Sequence, residues 1–131
     1  MKGEYQFSWE KRGVRCVCAG AFSSEFVTVN RQVMTDPRFQ NAKFFIIDLR
    51  AVREFTIDSA AIRKIAQMDA EYYEQHPVVK TATITRTNAD AGKGLSRMYQ
   101  TFLDMVDERL MDCFAAFDSE DAAMEWINSS K

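Results

Sequence analysis

The stretch from Phe44 to Ile62 reads FFIIDLRAVREFTIDSAAI, and its reading decides the fold. Four apolar residues, Phe44 to Ile47, run into Asp48 with no polar alternation. A short unbroken apolar run of this kind predicts a strand covered on both faces, as parallel sheets require. We place this strand at Phe44–Leu49, follow it with a loop, and start an amphipathic helix between Thr56 and Ser59. Strand, loop and helix in this order form half of a βαβ unit. The loops at the carboxyl ends of parallel strands are where open α/β sheets bind ligands.

Working outward, Tyr5–Trp9 and Val14–Ala19 read as strands joined through Glu10-Lys11-Arg12-Gly13, a charged turn that predicts a β-hairpin. Gly20 is expected to end the second strand. Ser23 or Ser24 can then cap a helix that turns Phe26, Val29, Val33 and Met34 inward, and Asp36-Pro37 stops it. Beyond the central strand, a helix to about Gln75 carries Ala61, Ile62, Ile65, Met68 and Tyr72 on its apolar stripe. Val78–Thr85 is β-branched and reads as a strand. A helix from about Gly92 to Asp107 follows, then a strand at Met111–Phe117. A last helix, capped by Asp118 or Ser119, bears Ala122, Ala123, Trp126 and Ile127.

The order is β-β-α-β-α-β-α-β-α. It predicts an α/β fold with a five-stranded, mainly parallel sheet whose first strand is antiparallel, in a single domain over residues 1–131. Seventeen basic against nineteen acidic side chains give a net charge of −2, which supplies no bulk attraction to nucleic acid or an anionic membrane. No apolar run approaches a membrane span, and MKGEYQFSWEK lacks the apolar core of a secretory signal, so a cytoplasmic protein is expected. Cys16 and Cys18 fall two apart on one strand and point to the same face, where a disulfide would be strained. With Cys113 they read as small buried hydrophobes. One histidine, His76, cannot complete a zinc set, and no metal or cofactor is expected.

Candidate binding residues gather at the carboxyl edge of the sheet. Arg50 and Arg53 follow the central strand; Arg86, Lys93 and Gly94 follow its neighbour; Asp58 and Ser59 open the helix. Cations beside a glycine-rich helix start can hold a phosphate or carboxylate. However, DAGKGLS at 90–96 does not satisfy the phosphate-loop pattern. Tyr72, Tyr73, Tyr99, Phe102 and Trp126 are either core or the lining of an apolar ligand cavity, and Phe22 is either core or a partner surface. No Ser/His/Asp or Cys/His grouping is present, so no catalytic residue is assigned and an enzyme is not expected.

The element order resembles the SpoIIAA-like families of the STAS and Sec14 type, over nearly the whole chain. The residues that carry the resemblance are Asp48-Leu49, Val52, Phe55 and Asp58-Ser59, then GLSRMY at 94–99, then Phe117 with Ala122, Ala123 and Trp126. The resemblance implies a non-enzymatic regulatory or protein-interaction module with an unidentified protein partner. In the related anti-sigma factor antagonists an Asp-Ser-Ser element carries a phosphoserine at its second serine. Here Ala60 occupies that position, so the usual phosphoserine is lacking, and the preceding loop is about two residues longer. The Sec14-like side of the resemblance implies an alternative, a carrier of a small anionic or lipid-like ligand. The helix faces leave a homodimer open.

Overall fold

In a computed structural model, residues 2–76, 79–86, 90–106 and 112–129 are described, with the side chains at 90–93 and 106 outside that description. The strands are β1 (Gly3–Trp9), β2 (Gly13–Phe22), β3 (Phe44–Phe55), β4 (Lys80–Ile84) and β5 (Phe114–Phe117). The helices are α1 (Phe26–Thr35), α2 (Ser59–Gln75), α3 (Asp90–Val106) and α4 (Glu120–Ile127), with a 3-10 turn at Pro37–Asn41. The element order is the expected one. The sheet order is β1-β2-β3-β4-β5, with β1 antiparallel to β2 and every other pair parallel.

This order sets the layers. Each parallel connection moves one strand further in the same direction, so right-handed crossovers place α1, α2 and α3 on one face of the sheet. Phe45 and Leu49 pack there with Phe26, Val33, Ile62, Ile65, Tyr73, Tyr99 and Leu103. Among the described residues the opposite face meets α4, whose Ala123 and Ile127 cover Phe44, Ile46, Ala82 and Ile84. The two faces of the Phe44–Ile47 run are thereby both buried, which is why it carries no polar alternation.

Local chemistry sets the element ends. Glu10 and Gly13 exchange backbone hydrogen bonds of 2.8 and 3.3 Å across the hairpin turn. Glu25 precedes α1 without a side-chain cap, while the Ser23 hydroxyl accepts from the Glu25 N–H at 3.2 Å. Asp58 caps α2 by accepting from the Ala61 N–H at 2.8 Å, and Ser119 caps α4 by accepting from the Ala122 N–H at 3.2 Å. Cys16 and Cys18 lie on one face with their sulfurs 3.9 Å apart; both are buried free thiols, as is Cys113.

The structure corrects the expected ends of two strands. The second strand does not end at Gly20, and the central strand does not end at Leu49. Ala51, Val52, Glu54 and Phe55 go on pairing with Ala19, Gly20, Ala21 and Phe22, past bulges between Val17 and Ala19 and between Gly20 and Ala21. The last β3–β4 pair is Asp48 with Ile84, so this ribbon runs beyond the rest of the sheet. A strand half that has lost one neighbour tolerates charged side chains, and Arg50, Arg53 and Glu54 therefore sit in β3 rather than in a loop.

Candidate functional site

The expected rim is mostly occupied by its own members. Arg50 wraps back on Asp48: its backbone N–H and its Nε each donate to Oδ1 at 3.0 Å, and an Nη donates to Oδ2 at 2.7 Å. Burial pushes the Asp48 carboxyl up, but these bonds outweigh it, with the Arg50 and Arg15 charges assisting, and hold it below its ordinary range. The Arg50 guanidinium also lies 3.9 Å from Glu120 at the start of α4, and Arg15 bridges Glu10 and Glu120. Arg50 thus belongs to the α4 face, whereas Asp58 and Ser59 open α2 in the opposite layer.

Arg86 is used differently. It donates to the Val52 carbonyl at 3.1 Å, filling a position on the β3 edge that β4 has vacated. Arg53 and Ser59 are exposed. Gly94 lies past the first turn of α3, because the helix begins at Asp90 rather than near Gly92. The side chain of Lys93 lies outside the described residues. The six described members of the expected set therefore do not converge on one anion pocket.

Gly94 gives a direct check on its own role. A Cβ built there meets nothing within 4 Å, so no close approach requires glycine. Gly94→Ala is expected to raise stability by about 1 kcal/mol, the difference in helix propensity. Chemical denaturation would measure it; a loss of stability would show that the position needs its glycine.

What the carboxyl edge does hold is a cleft of about 390 Å³ beside the ends of β4 and β5, lined by Thr85, Ser96, Arg97, Gln100, Phe117 and Asp118. Ser96 also lines a second, inner cavity of about 60 Å³ between the sheet and α2 and α3. The inner walls are Phe22, Phe26 and Ile57, then Ile62 and Ile65 of α2, Leu95 and Tyr99 of α3, and Ile47, Leu49 and Phe114 of the sheet. This volume exceeds the roughly 10–15 Å³ that admits one water. Phe22 is buried here against Phe26 and Phe55, so it is core and not a partner surface.

The polar residues lining this cavity are Asp69, Thr81, Thr83, Ser96 and Tyr99. The Ser96 hydroxyl is buried and has no hydrogen-bond partner among the described residues. Asp69 is 3% exposed, and its Oδ1 accepts from the Asn30 amide of α1 at 2.9 Å. Its Oδ2 accepts from the Tyr99 hydroxyl of α3. Burial pushes the Asp69 carboxyl up to about 7, against the lowering effect of those two bonds. Burial, with the Asp69 charge, raises the Tyr73 and Tyr99 phenols well above their usual value.

Asn30, Asp69 and Ser96 are the residues that sequence reasoning missed. Of the five aromatic candidates, Tyr99 lines the cavity and Tyr73 hydrogen-bonds Thr81 beneath α2. Tyr72 stacks on His76 at 4.0 Å, Phe102 lies under Arg63, and Trp126 sits on the α4 face against Phe117. Among the described residues no group of three or more His, Cys, Asp or Glu side chains could hold a metal, and no helix is long and apolar enough to cross a membrane. The chain matches no known family model and no curated protein.

Proposed function

We propose that this chain is a non-catalytic binding module for a small, mostly apolar molecule held between α2, α3 and the sheet. The observation that carries the reading is the inner cavity, apolar apart from a few buried polar groups and sharing the Ser96 wall with the outer cleft. Small-molecule sites are characteristically apolar hollows with a few placed polar groups. An unpartnered buried hydroxyl is costly unless something satisfies it, and a ligand group or a water at Ser96 would do so. The reading takes up the lipid-like half of the ligand-carrier alternative that the SpoIIAA-like resemblance implies, not its anionic half, and membership of those families is part of the proposal, supported by the element order.

Filling the cavity tests it. Ser96→Leu replaces the unpartnered hydroxyl with a bulkier apolar group. We expect n-butanol to raise the melting temperature of the wild-type protein and to leave that of Ser96→Leu unchanged. Equal shifts in both proteins would place the alcohol elsewhere and sink the reading.

A protein-interaction role has its own supporting observation. Met105 is 74% exposed on α3, Met98 is also exposed, and Phe102 and Met105 line a cleft of about 300 Å³ with Arg63 and Gln67 of α2. Exposed methionines beside an aromatic suit an adaptable partner surface. Met105→Glu is expected to abolish recovery of a protein partner from native lysate. Unchanged recovery of that partner would count against this face.

A further inference from the structure

We propose that the inner cavity selects a small apolar primary amine, bound as its ammonium against Asp69. The inference rests on the reading that this cavity takes a small molecule, and it names the ligand's chemical class. Among the described residues no Lys, Arg or His forms an ion pair with Asp69. The groups around it are the Asn30 amide from α1, the Tyr73 phenol from α2, the Tyr99 phenol and Ser96 hydroxyl from α3, and the Thr81 and Thr83 hydroxyls from β4; Cys113 adds a buried thiol near Tyr73. None is a cation. A buried carboxylate in apolar surroundings without a countercharge is a costly arrangement, and an ammonium arriving with an apolar tail relieves it.

The hydrogen-bond count agrees. Each carboxylate oxygen can accept two bonds, and Asn30 and Tyr99 each use one, so each oxygen keeps one acceptor position. Ser96 lines the same cavity, and its hydroxyl has no partner among the described residues. An ammonium has three donors and no acceptor, which matches this set. The aliphatic and aromatic walls would take the tail. A carboxylate ligand of equal size would meet like charge, and an alcohol would leave the Asp69 charge uncompensated.

The probes are n-butylamine, n-butanol and n-butyrate, titrated into the full chain at pH 8 by calorimetry. Butylamine is expected to bind about tenfold or more tightly than butanol, as a charge-assisted hydrogen bond warrants, and butyrate weakest. Asp69→Asn should erase that gap. Lowering the pH to 5.5 protonates a carboxyl that titrates near 7, and the amine advantage should disappear there too. Ser96→Leu should block all three probes.

Butanol binding as tightly as butylamine would overturn the amine assignment and leave the cavity reading standing. An amine preference that survives Asp69→Asn would overturn the assignment to Asp69. Failure of all three probes to bind would overturn both the inference and the function it rests on.

Discussion

The stability of Asp69→Asn relative to the wild-type protein is expected to rise by about 4 kcal/mol between pH 4 and pH 8. The sign follows from linkage. The folded-state carboxyl titrates near 7, above its ordinary value of 3.8, so between those limits the folded state binds the proton more tightly than the unfolded chain. Wild-type stability contributed by this group is fully present below pH 4, is lost as the pH rises through 7, and stays lost above it. A displacement of about three pH units corresponds to about 4 kcal/mol.

Asparagine cannot titrate, yet it can accept from Asn30 through its oxygen and donate to Tyr99 through its amide. Comparing the two proteins removes the opposing contributions of Asp48 and Asp36, whose carboxyls are held low by Arg50 and Arg38. Urea unfolding at both pH values would read the difference. A gap that stays constant with pH would mean that Asp69 is not a buried, unpaired carboxyl.

Gly20→Ala is expected to cost about 2–4 kcal/mol. Gly20 has φ of +70°, the left-handed region that costs an L-residue roughly 1–2 kcal/mol. An added Cβ would also stand 2.2 Å from the Lys2 carbonyl oxygen, a backbone atom that cannot swing aside. Alanine therefore strains the bulge and pushes the start of β1 from β2. Unchanged stability on chemical denaturation would mean that the left-handed bulge is absent.

These two positions also show how far the chain could be read without a structure. The Phe44–Ile47 run, the hairpin turn and the caps at Asp58 and Ser119 are local signals, and each stands where expected. Gly20 and the Arg50–Glu54 stretch misled for a physical reason. Glycine marks a turn in most contexts, but here it lets β2 continue through a bulge. Charged residues mark loops in most contexts, but here they lie on strand beyond the last β4 partner, where half the edge is solvated.

The described residues of the expected anion rim part company because sequence places residues at a sheet edge without saying which layer they enter. Arg50 turned to the α4 face and Arg86 to the Val52 carbonyl, each satisfied within the fold. The inner site did leave a trace. Ile62, Ile65, Asp69 and Tyr73 follow helical spacing, so Asp69 is a carboxylate in the middle of a buried stripe. Asn30 interrupts the Val29–Val33 stripe of α1 in the same way. A polar residue on an apolar stripe was legible as an anomaly; that the two anomalies meet, and that Tyr99 of α3 joins them, depends on helix packing that no local pattern encodes.

The central claim is that the cavity between α2, α3 and the sheet receives a small apolar molecule. Its most direct test is an isotope-filtered NMR experiment on the protein with n-butanol, reading nuclear Overhauser contacts from the alcohol chain to protein methyl groups. The account predicts contacts to the methyls of Ile62, Ile65 and Leu95, which line the cavity. Contacts confined to Met98 and Met105 on the outside of α3, or none at all, would contradict it.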